Sequence, residues 1–264
     1  MSLVEDDDNP NTRLRLLLGR EGWCLTRTQN IEEIVEELDV AWKVDVLGRN
    51  GRDDNSRAWK SVFERFAGRD GLGNPEMGSN RRLQRSCGCE VRAIVTRLVE
   101  ELQDVLGFSP RLSLHAPNYL GRLDGCPPQA YHRDTEFRGV YFVLISLCDN
   151  YVNYVIDQSH IVDEVTPEAL HHWSGPQGSE RAVTMNKGDI FVGHGYLVHR
   201  GGGSPVAVDH DPSTHGLPGL LNRTSGERVM NTLALHVFLD HDASRGSMYG
   251  ARRVNTVPVA VNFI

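Results

Sequence analysis

The stretch PPQAYHRDTEF, residues 127–137, sets His132 and Asp134 two positions apart in what reads as a short extended segment. Alternate residues of a strand share a face, so both side chains can reach one ion while Arg133 points the other way. In a chain with eleven histidines, a His-x-Asp triplet arises roughly once by chance. The triplet therefore takes its weight from its surroundings.

A second stretch, MNKGDIFVGHGYLVHRGGGSP at 185–205, supplies them. Gly188-Asp189 is a natural turn into the strand IFV. GHGY then turns the chain, and LVHRGGG runs out along a neighbouring strand with His199 near its end. If the two strands pair, His199 arrives at the same end of the barrel as His132 and Asp134. His194 competes for that distal role, but its glycine neighbours place it at a turn tip. Two imidazoles and one carboxylate on one face of a metal leave the opposite face open. That arrangement is expected for non-haem Fe(II) that must bind a co-substrate and dioxygen. Gln129 and Tyr131 flank the pair as pocket-lining candidates, and Tyr131 is equally suited to the core.

Upstream, REGWCLTRTQNIEEIVEELDVAWKVDVL (20–47) reads as a short strand and then a helix. Asn30 and Glu33 are spaced as a capping pair, and Ile31, Ile34, Val35, Leu38 and Trp42 fall on one face. Residues 48–86, rich in Gly, Asp, Asn and Arg, form a long excursion with a helical turn around SRAWKSVFERFAG. A second helix follows at EVRAIVTRLVEELQDVLG, with a stripe of Val91, Ile94, Leu98, Leu102 and Val105 and a stop at Gly107. Beyond Gly107 the chain breaks into short runs rich in β-branched and aromatic residues: RLSLHAP, GVYFVLISL, YVNYVID, RAVTM, GDIFVG, YLVHR, RVMNTLALHVFLD and VPVAVNFI. Helices first and strands afterwards predict a mainly β, α+β architecture, a β-sandwich or barrel backed by N-terminal helices.

The 264 residues suit one large domain, with 1–19 as a disordered acidic leader, a helical part over 20–107 and a β core over 108–264. A net charge of -7 argues against a general nucleic-acid scaffold. No run approaches a membrane span, and the acidic opening MSLVEDDDNP is unlike a signal peptide. The five cysteines are odd in number and dispersed, which indicates a reducing, cytoplasmic setting; CGC at 87–89 is too tight for a zinc knuckle. His171-His172 beside Trp173 and the scattered His210, His215 and His241 read as loop and surface residues.

The segments EGWCLTRTQNIEEIVEEL, QAYHRD and KGDIFVGHGYLVHRGGG, with a later Arg-led strand, resemble the Fe(II)/2-oxoglutarate-dependent dioxygenases, nearest the phytanoyl-CoA hydroxylase-like branch. The resemblance covers roughly residues 20–45 and 108–240. It implies a double-stranded β-helix core, a jelly roll of the cupin type, with iron held by His132, Asp134 and His199. It also implies an Arg at the start of the penultimate core strand that pairs with the far carboxylate of 2-oxoglutarate. Arg228 fits best, with Thr232 on the same face and Gln129 near the cofactor, although Arg228 lies further from the distal histidine than the family spacing. Arg223 or Arg138 are the alternatives.

The activity so implied is hydroxylation of a C–H bond in a small molecule, with dioxygen consumed and succinate and CO2 formed. A nucleic-acid base is the second substrate class, with Arg81, Arg82, Arg85, Arg252 and Arg253 as phosphate contacts. Two readings outside the family remain, a cupin-like metal enzyme without 2-oxoglutarate and a catalytically silent binding module. Residues 48–86 and 201–226 are the loops expected to set the substrate.

Overall fold

The computed structural model describes residues 9–47, 60–61, 82–107, 113–114, 117–123, 126, 128–129, 131–135, 139–161, 180–203 and 230–240. It opens with helix α1 (Pro10–Glu21), where the sequence reading ran a disordered leader through residue 19. The correction has a local cause. Asn9 caps the helix by accepting from the Asn11 N–H, Pro10 stands in the first turn where no donor is lost, and Gly22 closes the end in a left-handed conformation. Arg15 then donates to the carbonyls of Val105 and Asp104, at the end of another helix.

Strand β1 (Trp23–Thr26) and helix α2 (Ile31–Leu47) follow as expected. At its start the Asn30 side-chain amide donates to Glu101 Oε1 at 3.0 Å, and the Asn30 carbonyl accepts from the Ile34 N–H at 3.0 Å. Inside the stretch read as a helical turn, Lys60–Ser61 is a short strand, β2, paired antiparallel with β3 (Arg82–Ser86). Helix α3 (Cys89–Leu106) ends at Gly107 in the left-handed conformation. Its stripe Val91, Ile94, Leu98 and Leu102 is fully buried, each side chain stabilising the fold by about 1.5–3 kcal/mol.

The remaining strands are β4 (Ser113–Leu114), β5 (Asn118–Leu123), β6 (Val140–Ser146), β7 (Tyr151–Ile156), β8 (Glu180–Met185), β9 (Ile190–His194), β10 (His199–Gly201) and β11 (Met230–Asp240). They form two antiparallel sheets. The larger runs β1-β9-β6-β11-β5-β3-β2, with β4 also on β11; the smaller runs β10-β7-β8. An isolated bridge between His132 and His199, with the Gln129 N–H donating to the Gly201 carbonyl, sets these two residues along the edge of the smaller sheet. The result is the helix-backed β architecture expected from the order of elements, in the jelly-roll form that the resemblance implies.

The alternation of the strands separates two layers. On β11, Leu233, Leu235, Val237 and Leu239 belong to the main hydrophobic core, and Trp42 of α2 meets Tyr119 of β5 edge-on at 5.2 Å. The opposite face of β11 carries Ala234, His236 and Phe238, opposite Ser146, Leu144 and Phe142 of β6. That face lines the barrel interior. The two sheets are tied at one end by Asp157, which accepts from Trp23 Nε1 at 2.8 Å and from Arg181 at 2.6 Å. The Gly188 turn forms as read, with φ of 85° and Asp189 accepting from the Asn186 N–H. All five cysteines are free thiols. No helix among the described residues is long and apolar enough to cross a membrane.

Candidate metal centre

His132 and His199 face each other across a two-bond bridge, each N–H donating to the other's carbonyl at 2.9 and 3.0 Å. Their rings lie 4.6 Å apart between centroids. Asp134 follows on a segment pinned by Gly195, whose carbonyl accepts from the N–H groups of both Asp134 and Thr135. Gly195 must be glycine here, since a Cβ would stand 2.4 Å from Thr135 Cγ2. The GHGY turn thus does two things: it reverses the chain between β9 and β10, and it seats the carboxylate.

The ligand atoms converge. His132 Nε2 lies 3.6 Å from Asp134 Oδ1, and His199 Nε2 lies 3.5 Å from Oδ2. Among the described residues, these three form the group whose donor atoms all lie within 4.8 Å of one another. The separations suit three ligands on one face of a first-row metal. Asp134 Oδ2 is buried and has no hydrogen-bond partner, so a cation between these groups would satisfy it.

Protonation is set the same way. Burial alone would raise the Asp134 carboxyl, but the imidazoles of His199, His236 and His132 hold it well below the usual carboxylate range. Burial pushes the His199 imidazole down to about 4, against the pull of Asp134. His199 Nδ1 lies 3.0 Å from the Leu197 carbonyl. In the neutral ring the proton then sits on Nδ1, leaving the Nε2 lone pair facing Asp134. Phe142 stacks on the His199 ring at 4.4 Å and fixes its plane.

His194 takes no part in the cluster. Its ring stands against Tyr141 at 4.6 Å and against His160 at 4.8 Å. Arg133 points away as expected, with its guanidinium over the Tyr196 ring and one nitrogen donating to Ser159 O. Tyr131 packs with Ile156 and Val198 in a small separate cluster and donates to Glu180. Gln129 braces β10, its Oε1 accepting from the Gly201 N–H at 2.9 Å. Thr232 is placed by its backbone alone, across from Arg122 of β5. Arg228, Arg223 and Arg138, the histidines at 171, 172, 210, 215 and 241, and most of 48–86 and 201–226 lie outside the described residues.

One residue of the centre escapes the sequence reading. His236, in the middle of β11, brings Nε2 to 3.6 Å from Asp134 Oδ2. It stands in the run TLALHVFLD, where it reads as one polar residue in a core strand. Only the pairing of β11 with β5 and β6 reveals that it faces inward.

No protein-family model matches the sequence, and no curated protein matches it. Solved structures do match in fold. SnoK, a non-heme alpha-ketoglutarate-dependent carbocyclase from nogalamycin biosynthesis, superposes with a TM-score of 0.56 at 16% identity, covering 89% of this chain and 88% of SnoK. The epimerase SnoN, in complex with Fe3+, alpha-ketoglutarate and nogalamycin RO, gives 0.53 at 17% identity over 89% of this chain and 85% of its own. HygX from Streptomyces hygroscopicus, with nickel, 2-oxoglutarate and hygromycin B bound, gives 0.54 at 11% identity over 86% of each chain. The chain shares the fold of these non-haem iron, 2-oxoglutarate-dependent enzymes.

Proposed function

We propose that this protein is an Fe(II)- and 2-oxoglutarate-dependent dioxygenase that oxidises a C–H bond of a small molecule, with hydroxylation as the reaction. The carrying observation is the buried, anionic Asp134 between His132 and His199, whose Nε2 atoms lie 3.6 and 3.5 Å from its two oxygens. Iron held by His132, Asp134 and His199 would let dioxygen act as the oxidant, with two electrons from 2-oxoglutarate as it is converted to succinate and CO2 and two from the substrate C–H bond.

The protein's own residues prepare that chemistry. His132 and His199 are locked by their mutual backbone bridge, so their spacing survives loss of any ligand between them. Leu197 O holds the His199 proton on Nδ1, and Gly195 O holds the Asp134 backbone. His236 positions the carboxylate from behind through Oδ2. Phe142 walls the interior beside His199 and helps to exclude water. A small-molecule substrate is favoured by the fold neighbours bound to nogalamycin RO and hygromycin B, and by the net charge of -7. Arg228, proposed from the resemblance as an anchor for 2-oxoglutarate, lies outside the described residues.

The reaction is tested by succinate formation from 2-oxoglutarate in air, without added substrate. Slow Fe(II)-dependent turnover in the parent and none in Asp134→Ala is expected. Equal turnover in both overturns the reading, and iron binding without any 2-oxoglutarate consumption favours a cupin-like enzyme.

A further inference from the structure

We infer that Arg133 and Arg200 form a reciprocal clasp behind the metal centre that presets the spacing of its ligands, a positioning role that rests on the reading above. His132 and His199 meet through an isolated bridge of two hydrogen bonds, and the segment 131–135 belongs to no named strand. A sheet ladder therefore does not fix where His132 and Asp134 stand. Neighbouring residues of an extended segment point to opposite faces, so Tyr131, Arg133 and Arg200 turn away from the metal side.

On that outer face the two ligand segments hold each other. The Arg133 guanidinium, between His132 and Asp134 in the chain, lies 3.8 Å over the ring of Tyr196, in the turn that leads to His199. The Arg200 guanidinium, next to His199, lies 4.4 Å over the ring of Tyr131, next to His132. Each segment thus lends an arginine and receives one. Both contacts are anchored further out. Arg133 donates to Ser159 O at 2.9 Å, and Ser159 Oγ accepts from the Val198 N–H at 2.8 Å. Arg200 also lies 4.8 Å over Tyr154, its partner across the β7–β10 pair, and shares Glu180 with the Tyr131 hydroxyl. To part His132 from His199, both stacks have to open.

Stability alone does not call for these arginines. Arg133 is 7% exposed, and Tyr131, Ile156 and Val198 make an apolar cluster on the same side. A buried cation costs desolvation that a packed apolar side chain of similar volume avoids. A planar guanidinium adds a stacking plane together with directed N–H donors, which an aliphatic chain lacks. Metal ligands have to stand within about 0.2–0.5 Å of their places, and side chains locked behind them supply that precision. A third arginine, Arg122 on β5, also stacks on a tyrosine, Tyr151 at 3.8 Å, but its donors go to Val152 O and Asn153 Oδ1 of β7. It ties β5 to β7 inside the barrel and lies outside the clasp.

The test measures the Fe(II) affinity of the full chain anaerobically, by competition with a chromophoric chelator, beside the urea midpoint of the metal-free protein. Arg133→Met and Arg200→Met should each weaken Fe(II) by about 3–10-fold. The double variant should lose more than the product of the two, because either stack alone still holds the bridge. Arg200→Lys, which keeps a cation over the two rings, should recover part of the loss. Tyr196→Leu removes the ring beneath Arg133 from the other side of the clasp and should match Arg133→Met. Ile94→Val, a small cut in the core face of α3, is the control: its urea midpoint should fall and its Fe(II) affinity should not. Arginine variants that all bind Fe(II) within about twofold of the parent overturn the inference and leave the proposed function standing. An equal loss in Ile94→Val also overturns it, as affinity then merely follows stability, and single losses that only multiply overturn the joint clasp. A parent that binds no Fe(II) overturns the proposed function and the clasp together.

Discussion

Asp134 and Arg122 are two buried charges facing one barrel interior, and they are balanced in opposite ways. Asp134 is ringed by three imidazoles, with Nε2 atoms at 3.5–3.6 Å from its oxygens. Arg122 touches two carbonyl oxygens and a phenol ring, with no carboxylate partner among the described residues. The first region is a ligand set that the chain organises before any metal arrives. The second is a cation held by uncharged partners among the described residues. The smaller sheet joins them, since β10 carries His199 and also faces Asn153 on β7.

The comparison breaks first at the ligands. Asp134→Ala or His132→Ala should lower Fe(II) affinity by about 1000-fold or more. The far-ultraviolet spectrum should be unchanged, because neither side chain belongs to the main core. Full iron occupancy in either variant would show that the imidazole ring around Asp134 is only structural.

It sharpens at His236. Replacing it with Leu fills the same space and removes the contact with Asp134 Oδ2. Iron affinity should fall by about 10–100-fold, the usual cost of losing an outer partner of a ligand. Rescue by Gln, with its own N–H donor, would separate positioning from packing; unchanged affinity in the Leu variant would remove His236 from the centre.

The metal-free protein should also be acid-labile in a defined window. The pKa of His199 is lowered from an unfolded value near 6.5 to about 4 on folding. Its neutral, buried form therefore contributes stability fully present above the unfolded value and lost as pH falls through the folded one. Urea midpoints between pH 7 and 4 should report a loss of order 1–3 kcal/mol beyond that seen in His199→Gln. Equal slopes in the two proteins would count against a desolvated His199.

The smallest effect belongs to the turn that seats Asp134. Gly195→Ala drives a methyl against Thr135 and should cost about 1–3 kcal/mol of stability. Any loss of iron affinity beyond that of a simple destabilised control would show that the turn sets the carboxylate's position. An unaltered melting temperature would mean that Thr135 yields freely.

Much of this was legible in the sequence, for reasons that differ by region. His132 and Asp134 declare themselves because a two-residue spacing fixes their common face; His199 reaches them by another route than the expected pairing across GHGY, since β9 lies in the larger sheet and β10 in the smaller, where β7 and the bridge to His132 place it. Helix α3 is legible from its stripe and from Gly107. Asn9 and Pro10, which start α1, were hidden by the acidic run before them. His236 and Arg122 could not be read. His236 sits in a strand apolar on both faces, and β5, NYLGRL, carries a glycine and lacks an alternating pattern. Which way such residues point depends on pairing between strands more than 100 positions apart in the chain, as with Arg122 and Thr232. The orphaned Nε of Arg122 becomes visible only once the barrel closes around it.

The most direct measurement is the visible absorbance of the anaerobic protein as Fe(II) and then 2-oxoglutarate are added. A weak charge-transfer band that needs both additions and is missing in His199→Ala is the expected result. Iron bound by the parent with no band on adding 2-oxoglutarate would contradict it.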